Sequence, residues 1–149
     1  TVTDEAPARA VFAAERPDLI VFSDCSPVSN LAARDAALAL GIPYVCVVGF
    51  VGAYLAKNFA RSLPRLAAHY AAAREVVAVS QENLSLLRSR FGLSADHGRV
   101  IHYGRPASFF APRDEARRTA LREQLGLGSD DVLCLTVARL AEVKGHDLL

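Results

Sequence analysis

The sequence predicts an α/β fold built on a doubly wound parallel sheet, and three observations predict it. Short apolar runs (DLIVF at 18–22, YVCVV at 44–48, EVVAV at 75–79 and VLCLTV at 132–137) alternate with segments of helical composition. The runs are almost continuously apolar, as strands covered on both faces need to be. The connections are brief and are punctuated by glycine and proline, notably at Pro17, Gly41, Pro43, Gly49 and Gly92.

The first helix is expected at Ala6–Glu15, with Val11 and Phe12 facing the core and Pro17 ending it. The first strand follows at 18–22, and residues 23–27 form a turn at its carboxyl end. Asn30 or Ser29 is placed to cap a helix over 31–40, which Gly41 ends. After the strand at 44–48 comes the loop Gly49-Phe50-Val51-Gly52. Residues 53–74 read as a helix in two parts around Pro64. On it Lys57, Arg61 and Arg65 lie four apart and share a face that His69 continues. Such a face suits either solvent or an anionic membrane surface. The strand at 75–79 leads to Ser80, a ready N-cap for a helix over 81–91 closed by Gly92. A short strand and turn at 99–104 follows. Pro106 and Pro112 then stiffen a connector, and residues 113–125 form a charged helix with Ala116, Ala120, Leu121 and Leu125 as its apolar positions.

The composition bounds the partners. The 149 residues are 52% hydrophobic, enough for a buried core, and the net charge of +1 gives no field to recruit nucleic acid. None of the apolar runs approaches the roughly 20 residues of a membrane span. Cys25, Cys46 and Cys134 are odd in number and far apart, which argues against a disulfide framework or a zinc site. Reduced, buried thiols in a cytoplasmic protein are expected instead. The chain starts at Thr1 and stops on an uncapped apolar pair, and reads as an internal piece of a longer protein.

The stretch VLCLTVARLAEVKGHDLL at 132–149 carries the most chemistry. A strand is expected at 132–137, then a loop with Arg139 and Lys144-Gly145, then a helix beginning near His146. That places two cations at a strand's carboxyl end, where ligands bind in open α/β sheets, and beside a helix N-terminus that already attracts anions. A diphosphate suits the pair, with arginine as a planar fork of donors and lysine as a mobile point charge.

The pattern V-x-R-L-x-x-x-K-G-x-D-L-L resembles the start of the donor-binding domain of group 1 (family 4) glycosyltransferases of the GT-B fold. The segments PDLIVFSDCSP…ALALGIPYVCVVG, REVVAVSQENLSLLRSRFGL and FFAP resemble the acceptor-side domain and crossover of the same enzymes, so the likeness covers most of the chain from about Pro17 onward. It implies two incomplete Rossmann-like domains: residues 1–106 from the acceptor side, 107–128 as connector and helix, and 129–149 opening the nucleotide-sugar domain. It also implies an activity, the transfer of a sugar from a nucleotide-diphosphate donor to an acceptor hydroxyl, with retention. The acceptor would be a sugar, a lipid-linked group or a small molecule. Arg139 and Lys144 would hold the diphosphate in place of a divalent metal, and no other cofactor is implied. Gly49, Asp24, Arg105 and Gly145 are further candidate cleft contacts; the alternatives are a tight turn for Gly49, a turn or capping role for Asp24, and pairing with a carboxylate for Arg105. The basic face of residues 53–74 would allow peripheral membrane contact through Lys57, Arg61 and Arg65, and family relatives that glycosylate lipids resemble this.

There are departures. Many members carry a catalytic histidine six residues after the proline of "GIP", and here that position is Gly49. Relatives read N-G-V where this chain has Tyr103-Gly104-Arg105. The paired glutamates of the donor pocket would lie beyond Leu149, so the piece alone is expected to be inactive. The alternative reading is a non-catalytic relative that binds a nucleotide or a partner. An unrelated dinucleotide-binding domain would need G-x-G-x-x-G after the first strand, and that pattern is absent.

Overall fold

The computed structural model describes residues 4–148 and divides into two compact units, Thr1–Gly104 and Arg105–Leu149. The first unit is a four-stranded, wholly parallel sheet in the order β1 (Ile20–Asp24), β2 (Tyr44–Val48), β3 (Glu75–Ala78) and β4 (Arg99–Val100). Parallel neighbours need long crossovers, and helices supply them. Helix α2 (Leu31–Ala39) joins β1 to β2, α3 (Ala53–Asn58) and α4 (Leu63–Ala72) join β2 to β3, and α5 (Gln81–Arg90) joins β3 to β4. Helix α1 (Ala6–Glu15) precedes β1 and packs on α2.

The register pairs Ile20 with Tyr44 and Asp24 with Val48, so β1 begins two residues later than its apolar run and ends on Asp24. Burial on both faces holds for β3, whose Val76, Val77 and Ala78 are all buried. It fails for β1, which buries Phe22 and Asp24 while Val21 and Ser23 face out. A strand at the sheet edge has one neighbour, and here only one of its faces is covered. Phe22 meets Phe12 and Tyr44 edge-on, with centroids 6.5 and 5.5 Å away. Phe12 therefore faces the core as expected, whereas Val11 is exposed. Tyr44 buries its ring without orphaning its hydroxyl, which donates to the His69 carbonyl at 2.6 Å.

The helix ends follow local chemistry. Ser80 caps α5, its hydroxyl accepting from the Asn83 N–H at 3.1 Å. Gly41 and Gly92 take the left-handed conformation past α2 and α5. The expected cap of α2 does not form: the Ser29 hydroxyl accepts from the Ser26 N–H, and Asn30, itself left-handed, turns its amide to Asp24. The break near Pro64 is a 3-10 turn at Ala60–Ser62, after which Pro64 sits in the first turn of α4.

The second unit holds helix α6 (Glu115–Gln124), capped by the Asp114 carboxylate on the Arg117 N–H at 2.9 Å. The strand expected at 132–137 is absent: Val132, Leu133, Leu135 and Val137 are exposed and make no ladder bonds. A strand exists only by pairing, and the described residues of this unit hold no strand to pair with it. The helix expected near His146 is a single 3-10 turn, His146–Leu148; Leu149 lies outside the described residues.

Candidate functional site

In the first unit the carboxyl ends of all four strands line one edge, where ligands enter folds of this kind. Asp24 closes β1 and Gly49 follows β2, tied together by the Gly49 N–H donating to the Asp24 carbonyl at 2.8 Å. Asn83, on the first turn of α5, donates to the Gly49 carbonyl at 3.4 Å. The segment after β4 runs on beside the end of β3 at this edge. The Ile101 N–H donates to the Ala78 carbonyl at 3.0 Å, and His102 Nδ1 lies 3.1 Å from the Val79 carbonyl. A Cβ placed on Gly49 would stand 2.8 Å from the Tyr103 hydroxyl and 3.4 Å from the Asp24 carbonyl. Gly49 is thus a close-approach glycine with a phenol above it.

The Asp24 side chain is not presented to a ligand. It is 2% exposed, and its two oxygens accept from the Asn30 amide, at 2.8 Å, and from the Arg34 guanidinium. Arg34 is itself fully buried and lies over the Tyr70 ring, 5.5 Å from its centroid. Burial pushes the Asp24 carboxyl above its ordinary value, against the opposing pull of Arg34 and Asn30. Nε and Nη1 of Arg34 and the Tyr70 hydroxyl have no hydrogen-bond partner. Asp24 is a structural residue that fixes the floor of the edge. Sequence reasoning passed over Arg34. The available signal was its position three residues after Leu31 and three before Ala37, on the buried face of α2.

The basic row does not form one open face. Arg65 pairs with Asp35, and His69 is buried with Nε2 2.7 Å from the same carboxylate. Burial acts to raise the Asp35 carboxyl, but the hydrogen bonds from Arg65 and His69 outweigh it and hold it below its ordinary value. Burial lowers the His69 imidazole. Lys57 and Arg61 remain exposed, and two cations on one turn and a half of chain make a weak membrane face.

In the second unit Arg139 and Lys144 are both exposed and belong to one tight loop. The Lys144 N–H donates to the Ala141 carbonyl at 2.8 Å, and the Gly145 N–H to the Glu142 carbonyl at 2.9 Å. His146 Nε2 lies 2.9 Å from the Arg139 carbonyl, joining the loop's two ends. Gly145 is left-handed and reverses the chain, so its role here is the turn itself. Arg105 stacks over Phe109, 5.6 Å from the ring centroid, and no carboxylate pairs with it among the described residues. The thiols differ from expectation: Cys46 is buried, whereas Cys25 and Cys134 are exposed, and all three are free. Among the described residues no three His, Cys, Asp or Glu side chains converge to hold a metal ion.

Comparison with known proteins gives one finding about residues 2–104, which match the family model described as a glycosyl transferase 4-like domain. No curated protein and no solved structure matches the chain significantly. The match spans the whole parallel sheet together with Gly49, Asn83 and Tyr103. This Rossmann-like α/β chain belongs to the glycosyl transferase 4-like domain family, and so to the glycosyltransferases.

Proposed function

We propose that the protein carrying this chain moves a sugar from a nucleotide-diphosphate donor to an acceptor hydroxyl, with retention. The carrying observation is the pair of exposed cations, Arg139 and Lys144, on a single closed loop of a chain in this family. In the transfer the bond from the sugar's anomeric carbon to the diphosphate breaks, and its electron pair leaves with the diphosphate. The acceptor oxygen bonds to that carbon and gives up its proton to an oxygen of the leaving diphosphate. Negative charge grows on the leaving diphosphate. A guanidinium fork and an ammonium held on a tight loop meet that charge without reorganising, which is electrostatic preorganisation. Two fixed cations can take the part a divalent metal plays elsewhere. The first unit then supplies the acceptor side, at the edge formed by Gly49, Asn83 and Tyr103. The exposed free thiols at Cys25 and Cys134 favour a reducing, cytoplasmic setting.

The reading is tested on the full-length protein with Arg139→Ala and Lys144→Ala. Loss of transition-state stabilisation predicts kcat down by about a hundredfold or more in each, with folding unchanged. Normal turnover in both variants removes the diphosphate assignment. A second reading, nucleotide or partner binding without transfer, is favoured by one observation: Gly49 offers no side chain for proton transfer. It predicts nucleotide binding that depends on the same two cations and no transfer with any donor.

A further inference from the structure

The loop after β2 exposes two aromatic side chains around a second glycine. Phe50 is 49% exposed and Tyr54 60% exposed. A Cβ on Gly52 would stand 2.5 Å from Tyr54 Cε1 and 3.1 Å from Phe50 Cζ, so both rings close on the same point. Tyr103, 70% exposed, brings its hydroxyl over Gly49 three residues earlier. Solvent-facing aromatic rings are costly to leave bare, and a cluster of them marks an interaction surface. This cluster lies at the carboxyl edge of a parallel sheet, and the two glycines keep its backbone clear of side chains.

The occupant follows from the chemistry of the loop. Residues 49–54, GFVGAY, carry no charge, so neither a phosphate nor an anionic lipid headgroup finds a partner among them. What they offer is flat aromatic faces with negative π-clouds, phenolic hydroxyls that both donate and accept, and the Asn83 amide near the Gly49 carbonyl. A pyranose ring is the complement. Its C–H face carries partial positive charge suited to an aromatic face, and its rim of hydroxyls needs groups that donate and accept. We infer that Phe50, Tyr54 and Tyr103 form a platform for a neutral pyranoside, and that the acceptor is therefore itself a sugar. The role of acceptor for that sugar rests on the transferase reading above; the platform does not.

The test is ligand-observed NMR on the chain with methyl glucopyranoside, galactopyranoside and mannopyranoside as probes, saturating the aromatic protons. Saturation should pass to the ring protons of at least one methyl glycoside. It should be lost in Phe50→Ala/Tyr54→Ala, while Tyr103→Phe should weaken binding by about two- to tenfold. All three side chains are exposed, so the variants should keep the wild-type circular dichroism; if the double variant does not, Tyr103→Phe decides alone. Saturation of no glycoside, or transfer unchanged in the variants, overturns the platform. The two readings fail separately. Nucleotide binding through Arg139 and Lys144 without glycoside contact leaves the transferase standing and removes the sugar acceptor. Glycoside binding with no sugar transfer from any nucleotide-sugar donor leaves the platform standing and removes the transferase.

Discussion

The Asp24–Arg34 pair holds the floor of the acceptor edge, and neutralising one partner measures how firmly. Asp24→Asn keeps the side-chain volume and removes the charge. Arg34 is then a fully buried cation whose Nε and Nη1 already lack hydrogen-bond partners, with only the Tyr70 ring beneath it. Leaving a buried charge unpaired costs about 3–5 kcal/mol. That is a large share of the roughly 5–15 kcal/mol that holds a domain folded. With a urea slope of about 2 kcal/mol per molar, the midpoint should fall by about 2 M at unchanged slope. Arg34→Met should cost less. It strands a carboxyl that burial has already raised, and that carboxyl can escape by taking up a proton. The sign follows: the folded variant binds the proton more tightly than the unfolded chain, so its stability grows as the pH falls and is lost as the pH rises. The double variant should recover most of the Asp24→Asn loss, because no charge is left to strand. A midpoint shift under about 0.5 M for Asp24→Asn, or a double variant as unstable as the sum of the singles, would refute the buried-pair account.

Three further outcomes are expected. A thiol-reactive disulfide such as DTNB should label Cys25 and Cys134 at once and Cys46 only on unfolding, since Cys46 is buried and its thiol is pushed up to about 11; prompt labelling of all three contradicts the core assignment. Burial holds His69 below its ordinary 6.5, so the unfolded chain binds that proton more readily and stability falls as the pH drops through and below that value. The slope should be at most about 1.4 kcal/mol per pH unit, and equal slopes in wild type and His69→Gln would rule the linkage out. Gly92→Ala should destabilise by about 2–4 kcal/mol in urea melts. It forces a left-handed alanine whose Cβ stands 2.7 Å from that of Ala67, and a loss under about 0.5 kcal/mol would show that α4 can yield.

The parallel order of the sheet was legible because its cues are local. Apolar runs four or five residues long, Gly41, Gly92 and the Ser80 cap each act within a turn of chain. What escaped depends on contacts remote in sequence. Arg34 and Asp35 are adjacent on α2, yet one is buried against Asp24 and the other reaches Arg65 and His69 on α4. No spacing rule connects α2 to α4, so the expected basic row dissolved into an ion-pair cluster. Asn30 and Ser29 both have the residue type of a cap, but the Asn30 amide finds Asp24, six residues back and buried. The run at 132–137 has the composition of a strand and lacks a neighbour, which shows that composition grants permission and pairing makes the strand. Tyr103 carries no local signal of its place over Gly49, which depends on the pairing of β2, β3 and β4.

The central claim is that Arg139 and Lys144 receive the diphosphate of a nucleotide sugar. The most direct measurement is nucleoside-diphosphate release by the full-length protein, run with a panel of uridine, guanosine, adenosine and thymidine diphosphate sugars and methyl glycosides as acceptors. The account predicts release from one donor class, reduced about a hundredfold in Arg139→Ala and in Lys144→Ala. Release that survives intact in both variants, or no release from any donor, would contradict it.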